Sequence, residues 1–110
     1  MAAIFSSSDD GISSDRMVAQ LRIPPHSIEA ESSVLGGLLL DNGAWDRIAD
    51  LLNDSDFYRY EHRLVFSAIA SLVNASRAAD VITVHDQLQS LGKAEEVGGL
   101  GYLNALAQYV

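Results

Sequence analysis

The chain has 110 residues, of which 48% are hydrophobic, so it is long enough for one small domain with a single core and too short for a two-lobed enzyme. Fifteen acidic residues against seven basic ones give a formal net charge of −8. A surface this acidic repels phosphate groups, so direct binding to nucleic acid or to an anionic membrane is not expected.

Cysteine is absent, which excludes disulfides and thiol chemistry and fits a reducing cytoplasm. No apolar run approaches the ~20 residues of a membrane span, and the N-terminus lacks the basic start and apolar stretch of a signal peptide. We therefore expect a cytoplasmic protein without a membrane segment.

Within residues 1–22, the stretch 6–15 ("SSSDDGISSD") is rich in Ser, Asp and Gly, and its apolar content is too low to offset the entropy of ordering it. This composition predicts a disordered N-terminal tail. Pro24 and Pro25 then mark the edge of a folded domain over residues 23–110, because proline holds the preceding residue out of the helical region.

The first helix is predicted from about Ile28 to Leu40. Ser27 is a suitable N-cap, and Glu29 and Glu31 lie in the first turn, where the helix dipole favours negative charge. The apolar residues that follow recur at helical spacing along one side.

Gly36 and Gly37 lie side by side within this helix, although each costs ~1 kcal/mol relative to alanine. Their lack of side chains allows another helix to approach the backbone closely. We therefore assign both a helix-packing role and predict a close contact between the first helix and the longest one. Replacing either glycine with leucine is expected to overpack that contact and to lower stability by ~1 to 3 kcal/mol.

Helical periodicity continues along the chain and predicts an all-α fold, a compact bundle of about six helices around one long central helix. Thr83 and Asp86 resemble a capping box, which places Val81 and Ile82 ahead of a helix. The other predicted helical segments are a short helix at 44–52, the long helix at about 59–74, one turn at 93–97 and a last helix from about residue 100.

In the last helix, helical spacing predicts that Leu103 and Ala107 face inward, together with Val110. Tyr102 and Leu106 fall on a neighbouring face with Tyr109, so part of the helix is expected to show these side chains outward.

Convergent catalytic or metal-binding groups are not evident. His26, His62 and His85 form no recognised pattern, since His62 and its neighbour Glu61 point about 100° apart on a helix. We interpret all three histidines as structural or solvated. Arg59 and Arg63, one turn apart, are interpreted as ion-pair partners of nearby acids rather than as DNA contacts.

Four segments together carry a family resemblance that covers residues 23–110: "IPPHSIEAESSVLGGLLLDN", "DFYRYEHRLVF", "DVITVHDQLQSLG" and "VGGLGYLNAL". In this order and spacing they resemble the N-terminal domain of the bacterial replicative DNA helicase, the DnaB-like family. Four linked segments are far more specific than any one of them.

The resemblance implies a helical domain that neither hydrolyses ATP nor unwinds DNA, so no enzyme activity and no cofactor are expected here. In the family it forms a collar on a hexamer whose RecA-like motor domain binds ATP and Mg²⁺. That motor and the helical hairpin that follows the globular head are absent from this sequence, so the chain resembles part of a larger 5'-3' DNA helicase. As this fragment, a monomer or weak dimer is expected.

The resemblance further implies that the collar binds the C-terminal domain of primase during DNA replication, and it raises a helicase loader as a further partner. Positions associated with primase communication look like Glu29 in "SIEAE" and Tyr102 in "GGLGYL". Ser32 stands where glutamine is frequent in the family, at a position expected to face solvent.

Two other functions stay open at this point. A free-standing acidic helical adaptor or regulatory protein, such as a DNA mimic, would have the same composition. A hydrolase using His62 would predict that changing His62 abolishes activity without unfolding the chain.

Overall fold

A computed structural model of the chain describes residues 27–109. Within that range the chain forms six α-helices, two short 3-10 helices and no strand, which confirms the all-α prediction. The predicted tail at residues 1–22, Pro24, Pro25, His26 and Val110 lie outside the described range. The helices are α1 (Ile28–Leu40), α2 (Trp45–Ile48), α3 (Tyr60–Asn74), α4 (Val81–Ser90), α5 (Ala94–Val97) and α6 (Gly99–Ala107), and the 3-10 helices are Asn42–Ala44 and Asp54–Asp56.

The longest helix, α3, lies at the centre and contacts α1, α4 and α5. Its buried residues recur at helical spacing, as expected for a helix that packs against several others. The ring of Phe66 on α3 lies 5.2 Å from that of Trp45 and 5.0 Å from that of Phe57, measured between centroids. These aromatic contacts attach α2 and the loop before α3 to the core. The buried residues of α3 are His62, Val65, Phe66, Ala68, Ile69 and Leu72.

The first helix begins and ends where the sequence predicts. The Ser27 side chain accepts a hydrogen bond from the Ala30 N–H at 3.1 Å, which satisfies one of the free donors of the first turn. Leu35, Leu38 and Leu39 are buried, and the helix packs against both α3 and α6. It therefore touches the central helix and the last one along the same apolar side.

The glycine pair divides into two different positions. Gly36 is buried, in keeping with a packing role. Gly37 is half-buried, and a Cβ built on it would meet no described atom within 4 Å. Gly37 therefore makes no close helix contact among the described residues, and the overpacking prediction rests on Gly36.

One asparagine joins two distant parts of the chain. The Asn42 side-chain amide donates to the carbonyls of Leu38 (2.9 Å) and Ala79 (2.8 Å), and its Oδ1 accepts from the Ala79 N–H at 2.8 Å. The Leu38 carbonyl belongs to the last turn of α1, where carbonyls lack helical partners. Asn42 thus caps α1 and fixes the segment that leads into α4.

The start of α4 differs from the prediction. Its N-cap is Asp80, whose carboxylate accepts from the Thr83 N–H at 2.9 Å while the Thr83 hydroxyl accepts from the Asp80 N–H at 2.8 Å. This reciprocal capping box places Val81 and Ile82 inside the helix. The Thr83–Asp86 box was therefore wrong by three residues.

The facing of Leu106 and the length of α2 also differ from the predictions. Leu106 is 2% exposed and belongs to the core with Leu103, because α6 packs against both α1 and α4 and buries a wider stripe than one helix contact would. Helix α2 covers only four residues, shorter than the predicted 44–52, and Leu51 beyond it is exposed. None of the described helices is both long and apolar enough to span a membrane.

Candidate functional site: a buried Glu–His–Tyr relay

The carboxylate of Glu31 on α1 accepts hydrogen bonds from the backbone at the start of α3. Glu31 Oε2 accepts the Tyr58 N–H at 2.6 Å, and Oε1 lies 3.4 Å from the Arg59 N. Arg59 is the N-cap of α3 and its side chain makes no capping bond, so a carboxylate from another helix sits at a positive helix end. Burial opposes ionisation of Glu31, but the hydrogen bonds from Tyr58, His62 and Arg59 outweigh it, so the pKa of Glu31 is lowered.

His62 is fully buried on α3, and both of its ring nitrogens have partners. Nδ1 lies 2.7 Å from Glu31 Oε1, and Nε2 lies 2.6 Å from the Tyr102 hydroxyl. An ionised carboxylate only accepts, so Nδ1 carries a proton and donates it to Glu31. In the neutral ring Nε2 then accepts from the Tyr102 O–H. We call Glu31, His62 and Tyr102 together the relay.

The third member of the relay is positioned by a glycine. Gly98 has φ +111°, and a Cβ there would lie 2.9 Å from the Tyr102 Cβ, closer than such atoms approach. Gly98 therefore supplies both the left-handed turn before α6 and the space for Tyr102. The Tyr102 ring lies nearly parallel to that of His62, at 17° with centroids 6.0 Å apart.

Ser32 lies next to the relay and was wrongly expected to face solvent. It is only 4% exposed, and its hydroxyl is one of the neighbouring groups that lower the pKa of Tyr102. Burial raises the pKa of the Tyr102 hydroxyl, against the opposing influence of the nearby Arg59 guanidinium. The Tyr102 hydroxyl is thus held by His62, while the residue as a whole is only half-buried.

The relay does not have the properties of a catalytic site. A tyrosine with a raised pKa stays protonated near neutral pH and is a poor nucleophile. His62 is 0% exposed and both nitrogens are engaged, so it has no atom to offer a substrate. Among residues 27–109, no three His, Cys, Asp or Glu side chains group in a way that could hold a metal ion. These features do not favour the hydrolase hypothesis.

Of the two predicted partner-binding residues, Tyr102 belongs to the relay and Glu29 does not. Glu29 is exposed in the first turn of α1, about 200° around the helix from Glu31, and no described hydrogen bond joins it to Tyr102. Arg59 forms the predicted ion pair with Glu61. Arg63 instead donates to the carbonyls of Phe57 (2.7 Å) and Tyr58 (3.1 Å) and so holds the loop before α3.

Sequence reasoning did not predict that Ser32 is buried or that His62 pairs with Glu31 and Tyr102. One signal was present: His62 lies on the apolar stripe of α3, where a polar side chain needs buried partners. The partners are 31 and 40 residues away in the chain, so spacing alone did not identify them.

Residues 23–110 match the family model described as the DnaB-like helicase N-terminal domain. The chain belongs to this family. The replicative DNA helicase DnaB of Haemophilus influenzae is 46% identical over 95 residues, covering 86% of this chain and 20% of the relative. The DnaB helicase of Buchnera aphidicola subsp. Schizaphis graminum is 43% identical over 91 residues, covering 83% of this chain and 20% of the relative.

A solved structure shares the fold. The crystal structure of the N-terminal domain of DnaB helicase from Mycobacterium tuberculosis superposes with a TM-score of 0.76 at 39% identity, covering 79% of this chain and 60% of that one. The chain therefore has the fold of a DnaB-like N-terminal domain, and it spans about a fifth of the length of the curated helicases that it matches.

Proposed function

We propose that this DnaB-like N-terminal domain is a non-catalytic interaction module that binds the C-terminal domain of primase and supports assembly of a hexameric helicase collar. The observation that carries the proposal is Tyr102, a half-buried tyrosine at the edge of the domain whose hydroxyl is held by the fully buried His62. Tyrosine is among the residues that most often dominate binding energy at interfaces, and a fixed side chain loses less entropy on binding.

Glu29 supplies the second part of the proposed surface. Its exposed carboxylate lies at the N-terminus of α1, the helix that packs against the helix carrying Tyr102. A rim charge of this kind chiefly affects the association rate and the salt dependence of binding. We therefore assign Tyr102 the larger share of the affinity.

The wider assignments belong to the same proposal. The domain acts in the bacterial cytoplasm as part of a longer DNA helicase, whose RecA-like motor binds ATP and Mg²⁺ and contacts DNA. A helicase loader is a second partner, and the isolated chain is a monomer or weak dimer. The relatives are replicative helicases, which favours this function over a free-standing acidic adaptor.

The test is a calorimetric titration of the chain with the C-terminal domain of primase from the same organism. Tyr102→Ala is expected to weaken binding about tenfold or more, and Glu29→Ala by less, with the Glu29 effect fading at high salt. Leu51→Ala in the loop after α2 and Glu95→Ala on α5, which alter an exposed apolar side chain and an exposed acid, are the controls. Circular dichroism checks that each variant is folded.

Absence of heat with the unaltered chain would contradict primase binding by this chain. Equal losses in the Tyr102→Ala variant and in the Leu51→Ala control would contradict the proposed surface.

A further inference from the structure

Packing of the core alone would not require the hydrogen bonds of the relay. A fully buried imidazole must have both nitrogens paired, and an apolar side chain at this position would avoid that demand. His62 meets it by reaching a different helix with each nitrogen, Glu31 on α1 and Tyr102 on α6. The second of these bonds ends on a residue that is partly accessible from outside.

We propose that His62 is a positioning residue that holds the ring of Tyr102 in the orientation in which a protein partner contacts it. This inference rests on the proposed function, because it concerns how Tyr102 presents itself to primase. Glu31 takes part indirectly, by keeping the His62 proton on Nδ1 so that Nε2 is free to accept.

The geometry supports a role in orientation. The distal hydroxyl of a tyrosine lies on the axis of χ2, so a hydrogen bond there restrains χ1, while the nearly parallel ring of His62 restrains χ2. The 2.6 Å bond to His62 acts at that distal end, while Gly98 leaves room for the proximal end. The orientation of the Tyr102 side chain is therefore fixed before any partner binds.

Preorganisation of this kind predicts a measurable loss when it is removed. A side chain that must be ordered on binding lowers affinity, and we expect a roughly tenfold increase in Kd for Tyr102→Phe, which keeps the ring and deletes the hydroxyl. His62→Asn is expected to cause a similar increase. The asparagine amide sits near the former Nδ1 and keeps the Glu31 bond, but it is too short to reach the Tyr102 hydroxyl.

The first test is a double-mutant cycle by calorimetric titration against the C-terminal domain of primase. If His62 acts through the Tyr102 hydroxyl, the His62→Asn and Tyr102→Phe effects do not add, and the double variant binds as weakly as either single variant. His62→Gln, whose longer side chain reaches towards the former Nε2, restores affinity. Additive effects, or affinity unchanged in His62→Asn, would overturn the inference.

The second test does not depend on primase. NMR side-chain couplings of the free chain report whether Tyr102 occupies one χ1 rotamer or several. We expect one rotamer in the unaltered chain and in His62→Gln, and averaging in His62→Asn and in Tyr102→Phe. A single rotamer in His62→Asn would refute the positioning role even if primase binds, whereas absence of primase binding by the unaltered chain, with the expected averaging in His62→Asn, would refute only the proposed partner.

Discussion

The Asn42 side chain and its hydrogen bonds to Leu38 and Ala79, here called the Asn42 clamp, allow a direct test of what stabilises this fold. Asn42→Ala removes three hydrogen bonds at once, those to the Leu38 carbonyl and to both backbone groups of Ala79. Each neutral bond contributes about 0.5–1.5 kcal/mol, and Ala79 is almost fully buried, so its two groups are poorly served by water. We expect the free energy of unfolding to fall by about 2–3 kcal/mol.

Urea titration followed by far-UV circular dichroism measures this loss as a lower midpoint with an unchanged slope. For a domain of this size it corresponds to a fall in Tm of roughly 10–20 °C. Asn53→Ala is the matched control, because Asn53 bonds only within its own 3-10 turn, and it is expected to cost about 1 kcal/mol or less.

A second variant separates the clamp from simple loss of volume. Asn42→Asp keeps the acceptor for the Ala79 N–H but turns an oxygen towards two carbonyl oxygens, so it should destabilise at least as much as Asn42→Ala at neutral pH. The reasoning is refuted if Asn42→Ala costs no more than Asn53→Ala, or if Asn42→Asp is neutral.

Three further predictions concern stability. The lowered pKa of Glu31 means that its ionised form stabilises the fold fully above its ordinary value of 4.5. The advantage of the unaltered chain over Glu31→Gln in the free energy of unfolding should therefore be constant near neutral pH and shrink as the pH falls below 4.5; an advantage that stays constant there would contradict the assignment. Gly37→Ala should raise stability by up to ~1 kcal/mol, whereas Gly36→Leu should lower it by ~1 to 3 kcal/mol; equal effects in thermal unfolding would contradict the assignment. Asp80→Ala should cost about 1 kcal/mol by loss of the α4 cap, and no change in the urea midpoint would argue against the capping box.

Local sequence patterns predicted correctly those helix bounds that depend only on neighbouring residues. Ser27 with two acids in the next turn fixes the start of α1, and the bounds Ile28–Leu40 follow as predicted. At α4 the sequence pattern indicated a box of Thr83 with Asp86, whereas the structure has a box of Asp80 with Thr83. Asn42 binds both backbone groups of Ala79, which fixes that residue before a helix beginning at Val81, and a contact 37 residues away was not visible in the local pattern.

The candidate site was predictable only in part, for the same reason. Tyr102 and Glu29 came from a family resemblance, whereas His62 was interpreted only as structural or solvated, although it lies on the buried side of α3. Its partners depend on how α1 and α6 pack against their neighbours. Only Glu61 was weighed as a partner for His62, whereas the structure pairs Glu61 with Arg59 and His62 with Glu31.

The start of α6 has a consequence for motion. Three of the four residues before Tyr102 are glycines, which lose the most backbone entropy on entering a helix, so this turn has little intrinsic tendency to stay wound. Leu103 and Leu106 anchor the later turns in the core. Fraying of the first turn would release Tyr102 from His62 at a cost far below that of global unfolding. A protein bound at Tyr102 would suppress this fraying. Binding would therefore slow amide hydrogen exchange at the start of α6.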